Sequence, residues 1–208
     1  SGGHMHARIT LLAAAAAAAL ACNDASSSAT ARPAAPPLAV ISDGAHGGNP
    51  FFFFLPPMLK NPHAAGTPDA TLSPIVVICE LDATGTACVD NLAVFTTDRS
   101  TTTSPQPGNS ETIRVSEDHY IVNWHTGNFA LDPAVTYRIC VEVDVGGGLL
   151  HGLGHADVDV VATGPELKDV NEDEFIGLPN GRTLPITFRI EVGALGGPDV
   201  PCGGGIPT

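Results

Sequence analysis

The chain has 208 residues, with 22 acidic side chains against nine lysines and arginines and a formal charge of −13. A surface of that sign repels phosphate backbones and anionic headgroups, which argues against nucleic acid and leaves cations and basic surfaces as compatible partners. Twenty-three glycines, 18 prolines and few aromatics suit one all-β domain with loose ends.

Ser1 to His4 read as a cloning scar or upstream read-through, with natural translation starting at Met5. A short polar start carrying His6 and Arg8 leads into the apolar run Leu11 to Ala21. That run is too short to span a bilayer and has the length of a signal-peptide core. It stops at Cys22, and Ala19-Leu20-Ala21-Cys22 resembles a bacterial lipobox, although leucine usually stands where Ala19 does. Acylation of Cys22 is the expectation, with cleavage at a small-residue site or an uncleaved helix as alternatives; an acylated cysteine would anchor the chain without a transmembrane helix. Residues 1–22 are thus assigned to scar and signal peptide. Residues 23–48, rich in Ala, Ser, Pro and Gly, are assigned to a flexible tether.

The domain is expected over 49–193. Four consecutive phenylalanines, Phe51 to Phe54, would promote aggregation on an exposed tether and are read as a core strand closed by Pro56 and Pro57. A donor strand for a neighbouring subunit is the alternative. Ile75 to Leu81 is apolar on both faces, as a central strand is, and Leu92 to Thr97 follows as its partner. A polar loop spans 98–110. Glu111 to Val115 and His119 to His125 are the next strands; Trp124 alternates with Tyr120 and Val122, which makes it core rather than a glycan-stacking platform. Leu131 to Tyr137 has the leucine, proline and tyrosine spacing of a tyrosine corner, and strand 136–145 follows with Tyr137, Ile139, Val141 and Val143 inward. Gly146 to Gly154 reads as a flexible connection into strand 156–162. Residues 164–182 read as acidic and irregular, with a helical turn at Glu166 to Val170. Leu184 to Val192 closes the domain, and 194–208 is a Gly/Pro-rich tail. Seven to nine strands with frequent turn signals indicate a single immunoglobulin-like or fibronectin-like antiparallel β-sandwich.

Asn49 to Pro57, Ile78 to Leu81, His119 to His125 and Gly181 to Glu191 resemble blocks of an uncharacterised family of secreted bacterial β-sandwich proteins. The likeness covers about residues 49–192. It implies fold and export, and supplies no catalytic residues.

Four cysteines remain once Cys22 is set aside. Cys79 and Cys88 flank a turn-rich segment that brings them together across a hairpin. Cys140 points outward from its strand, and Cys202 lies in a tail that can be tied down across that face. Two free thiols or an intermolecular bridge is the alternative for the second pair.

Alternation also places Glu142 and Asp144 outward, with Asp157 and Asp159 outward on the following strand. A register setting Asp144 opposite Asp157 sets Glu142 opposite Asp159. Facing carboxylates call for neutralisation by Arg138 or by a hard cation such as Ca²⁺, against the plainer reading of a solvated acidic face. Asp169, Asn171 and Asp173 have the oxygen spacing of an EF-hand start, but Glu174 replaces the required glycine. His151 and His155 stand four apart among glycines, without the glutamate of a zincin. There is no nucleophile elbow, phosphate loop or C-x-x-C pair.

These features lead to a non-enzymatic, exported protein of the cell envelope, lipid-anchored or extracellular, acting as a binding or structural module with a protein or glycan partner. A carbohydrate-binding module and a subunit of an extracellular fibre are the alternatives. No resident cofactor is implied.

Overall fold

The computed structural model describes residues 41–60, 62–98, 100–103, 111–162 and 176–202. Cys22, the signal segment, the tether to residue 40, the Glu166 to Val170 turn and the Asp169, Asn171, Asp173 set lie outside them.

The described residues form two sheets packed face to face as a β-sandwich. Ten strands are present: β1 (Ile41–Ser42), β2 (Phe52–Phe54), β3 (Pro74–Leu81), β4 (Cys88–Phe95), β5 (Arg114–Val115), β6 (Tyr120–His125), β7 (Thr136–Asp144), β8 (Leu150–Val161), β9 (Ile176–Pro179) and β10 (Thr183–Ile190). The first sheet runs β1-β8-β7-β3-β4, with β9 joined parallel to β8; the second runs β2-β10-β6-β5. An immunoglobulin constant domain ends on an edge strand of its smaller sheet. Here the chain continues beyond that point, and its closing strand enters the middle of the second sheet, between β2 and β6.

The core sits between the sheets and follows the two-residue alternation of side chains. Tyr137, Ile139 and Val141 of β7 are fully buried there with Val76 and Ile78 of β3, facing Tyr120, Val122 and Trp124 of β6. Phe52 and Phe54 sit in the same core, their rings edge to face at 4.9 Å, and Tyr120 stacks on Phe188 at 5.4 Å. Such pairs add about 0.5–1.5 kcal/mol each to what area burial supplies. The tyrosine corner forms as the spacing predicts: the Tyr137 hydroxyl accepts from the Asp132 amide at 2.7 Å.

Several boundaries differ from the sequence reading. The domain starts before residue 49, because Ile41 and Ser42 pair with Ala156 and His155 of β8. Asp43 is then buried, its Oδ1 accepting from the Ala45 and His46 amides and its Oδ2 from the Phe54 amide. Those bonds fold the 43–49 loop back onto β2, so the segment is part of the fold rather than tether. The tail is also structured as far as Cys202: a 3₁₀ turn at Ala194–Gly196 accepts from the Asn49 side chain, and Cys202 is buried. Strand β4 begins at Cys88 rather than Leu92. Strand β8 begins at Leu150, so the glycine-rich stretch read as a connection is strand. The actual turn is confined to Gly146, Gly147 and Gly148, all at positive φ, where L side chains are strained. Strand β9 lies within the segment read as irregular.

Candidate functional site

The outer face of the first sheet gathers the four cysteines of the described residues and the buried Arg138–Asp157 pair. Outward positions on β7 are Arg138, Cys140 and Glu142, and all three are buried although they face away from the core. The segment 198–202 crosses Cys140 and Glu142 as a strap, with Cys202 bonded to Cys140 and Asp199 beside Glu142, while Arg138 lies under the turn at Gly85 and Thr86. The Val200 amide donates to the Gly152 carbonyl at 2.9 Å, and the Gly152 amide donates to Asp199 Oδ1 at 2.8 Å. A side chain at Gly152 would overlap the Val200 carbonyl, so the strap requires glycine at this point.

Two disulfides fix the arrangement. Cys79–Cys88 closes the β3–β4 hairpin, and Cys140–Cys202 ties the strap to β7, the pairings the sequence led us to expect. The sulfurs of Cys79, Cys88 and Cys140 all lie within 4.8 Å of one another, and Cys88 Sγ is 3.3 Å from the Cys202 carbonyl oxygen. The four sulfurs therefore share one small volume, walled by Val77 and flanked by Ile75 and Val94. Asp82 holds the hairpin that delivers Cys88, its Oδ1 accepting from the Thr86 and Ala87 amides and from Thr84 Oγ1. Those bonds, the Thr86 amide first, hold its carboxyl below the usual carboxylate range. Asp82 was legible only as part of a turn-rich segment.

The four carboxylates expected to converge do not. The register sets Asp157 opposite Arg138, Asp159 opposite Thr136, Glu142 opposite Gly152 and Asp144 opposite Leu150. The cause is the tight turn at Gly146 to Gly148, which starts β8 at Leu150 rather than at residue 156 and carries Asp157 and Asp159 past Glu142 and Asp144 to face Arg138 and Thr136. A bulge at Leu153, which enters the core, then shifts the ladder between Val141 and Glu142. Arg138 Nε donates to Asp157 Oδ1 at 2.6 Å and Nη2 to Oδ2 at 2.9 Å, a two-pronged pair that is 5% and 4% exposed. The remaining guanidinium donors reach the Thr86 and Gly85 carbonyls. Burial pushes the Asp157 carboxyl up, against the bonds and charge of Arg138. Thr136 Oγ1 donates to Asp159 at 2.9 Å, and Asp144 is exposed, accepting from the Gly146 amide.

Glu142 is 6% exposed, and its Oε2 has no hydrogen-bond partner. Burial first, and the nearby Asp199 carboxylate second, push its carboxyl above the usual range. His151 lies opposite Val143 with Nε2 unbonded, while His155 lies opposite Cys140 on the strapped face. The two histidines do not face one another. On the second sheet His125 bonds Thr183 Oγ1 at 2.8 Å and Glu111 at 3.3 Å, and His119 bonds Asp118 at 2.8 Å. Trp124 is fully buried, against Phe129 and Tyr137.

No family model, curated protein or solved structure matches the chain. Within the described residues, no helix is long and apolar enough to cross a membrane.

Proposed function

We propose that this is an exported β-sandwich of the cell envelope, lipid-anchored through Cys22 or extracellular, that serves as a non-enzymatic binding or structural module. The observation that carries the reading is the pair of disulfides, one of which closes a strap across the outer face of the first sheet. Such bonds persist in oxidising compartments and are rare in the cytosol. The resemblance to secreted bacterial sandwich proteins, and the apolar run ending at Cys22, support the same reading.

The strap covers Cys140 and Glu142 on the outer face of the first sheet, which leaves loops, sheet edges and the outer face of the second sheet for contact with a protein or glycan. Phe51, Val192 and Leu195 are the exposed apolar side chains beside the β2 edge, at 37%, 59% and 41%, and suit a protein contact. The carbohydrate-binding alternative loses its best aromatic platform with the burial of Trp124. The strand-exchange alternative has no unpaired strand in β2, which is bonded to β10 of its own chain.

The test is the intact mass of the full chain made in an exporting bacterium, with and without reduction. The reading predicts a chain beginning at an acylated Cys22, or cleaved near it, that gains four hydrogens on reduction. An unprocessed chain with free thiols overturns it.

A further inference from the structure

The Cys79–Cys88 and Cys140–Cys202 bonds bring sulfur from four separate parts of the chain, β3, β4, β7 and the strap, to one place. We propose that the reduced chain binds one zinc ion through these four cysteines, and that the metal then holds the strap to the sheet as the disulfide does in the oxidised chain. The proposal concerns the reduced protein and does not depend on where the protein resides.

Zinc takes four thiolates in a tetrahedron at about 2.3 Å, which sets sulfur–sulfur separations of roughly 3.8 Å. Sulfurs from three different strands already lie within 4.8 Å of one another, and the fourth is bonded to one of them. Cutting the two bonds lets each pair open by about the distance a tetrahedron needs, without moving any strand. The Cα separations, 5.5 Å and 5.7 Å, are set by the β3–β4 ladder and by the strap. The site is enclosed: Cys79, Cys140 and Cys202 are 0%, 0% and 3% exposed, and Cys88 is the partly open sulfur through which an ion or reductant arrives.

Charge also bears on the site. A tetrathiolate zinc centre carries two negative charges, in a chain already at −13. Arg138 faces Cys79 across the β3–β7 ladder and stands two residues from Cys140 on the same side, which puts the Arg138–Asp157 pair on the face that holds the sulfurs. Soft sulfur donors and a closed, tetrahedral geometry select zinc over calcium or magnesium, which take oxygen. The electron balance is simple. Two phosphine molecules and two waters reduce the two bonds to four thiols, a transfer of four electrons, and the ion then displaces four protons.

The experiment uses the full chain with Cys22→Ser, which removes the fifth cysteine. The protein is reduced with a phosphine, freed of metal and titrated anaerobically with Co²⁺, then with Zn²⁺, while circular dichroism follows the fold. The expected result is one cobalt per chain with the intense visible bands of a tetrahedral ion and near-ultraviolet sulfur-to-cobalt absorption, bleached by one equivalent of zinc. Zinc is also expected to raise the melting temperature of the reduced chain. Replacing Cys202 by serine as well is expected to weaken zinc binding at least about 100-fold, since removing even an outer partner of a zinc ligand costs 10–100-fold. Weak octahedral cobalt bands overturn the proposal, as does tetrahedral binding that survives Cys202→Ser unchanged. A reduced chain that stays unfolded when zinc is present also counts against it.

Discussion

Arg138 and Asp157 stand directly opposite each other on β7 and β8, joined by two hydrogen bonds at 2.6 Å and 2.9 Å, both side chains buried and the guanidinium also bonded to the Gly85 and Thr86 carbonyls of the β3–β4 turn. The pair replaces the carboxylate cluster that alternation alone would place there. Removing one partner leaves the other charge buried without compensation. Arg138→Met is expected to cost about 3–5 kcal/mol, whereas Arg138→Met with Asp157→Leu should lie close to wild type. Chemical denaturation of the three proteins decides it; a single variant as stable as the double one would contradict the argument.

Glu142 is the opposite case, a buried carboxyl beside a second carboxylate. Its folded-state pKa is raised above the ordinary 4.5, so folding favours the protonated form. The stabilisation is therefore complete at pH below the ordinary value and is lost as pH rises through the raised one. Glu142→Gln should melt a few degrees higher than wild type at neutral pH, with the difference closing below about pH 4. Melting curves across that range, with a constant offset at every pH, would refute it.

Gly152 meets the strap backbone, and a methyl group there has nowhere to go. Gly152→Ala is expected to destabilise by about 1–3 kcal/mol and to raise amide exchange at Val200, whose N–H bonds Gly152. Gly196→Ala, with open space around it, serves as the control and should be near neutral. Equal behaviour of the two variants would remove the strap contact from the account.

The two disulfides enclose loops of different length, with sequence separations of 9 and 62. Chain-entropy arguments give roughly 3 kcal/mol for the short loop and roughly 4 kcal/mol for the long one. Cys140→Ser with Cys202→Ser should therefore destabilise more than Cys79→Ser with Cys88→Ser. Denaturation midpoints in the reverse order would show that local geometry outweighs loop length.

Tyr120 and Tyr137 are the only tyrosines of the chain. Burial raises both phenols, Tyr120 to about 12 with help from the Asp69 charge. Their contribution to stability is intact below pH 10 and declines as pH climbs toward 12. An ultraviolet titration of the folded protein should show no phenolate step near pH 10. Tyr120→Phe, which loses bonds to the Asp69 and Leu72 carbonyls, should cost about 1–3 kcal/mol.

The sandwich was legible because β6, β7 and β10 carry their apolar side chains at a period of two, β3 is apolar on both faces as a central strand is, and the corner at Tyr137 marks one strand start independently. Strand β8 was half hidden. Its glycines carry no periodic signal, since Gly152 is shaped by the strap and Gly154 by the nearby Phe52 ring and Ser42 carbonyl, both distant in sequence. The hidden start of β8 also defeated the carboxylate register, because reading Leu150 to His155 as a connection slid the strand along its partner by that missing length. Ile41 and Ser42 escaped notice for a different reason: a two-residue strand at the end of a Pro/Ala-rich stretch is too short to show any rhythm. The sulfur pairs could be read from turn chemistry and facing, but their mutual proximity depends on β3 and β7 being neighbours.

The central place of β10 in the second sheet bears on how the molecule is assembled. Strands β2 and β6 are separated in space by a ribbon that the ribosome makes after both, so nascent chains shorter than about residue 190 hold a gap where that ribbon belongs. Closure of the second sheet thereby waits for Thr183–Ile190, and fragments cut before Thr183 keep two strand edges bare instead of forming a smaller version of the same body.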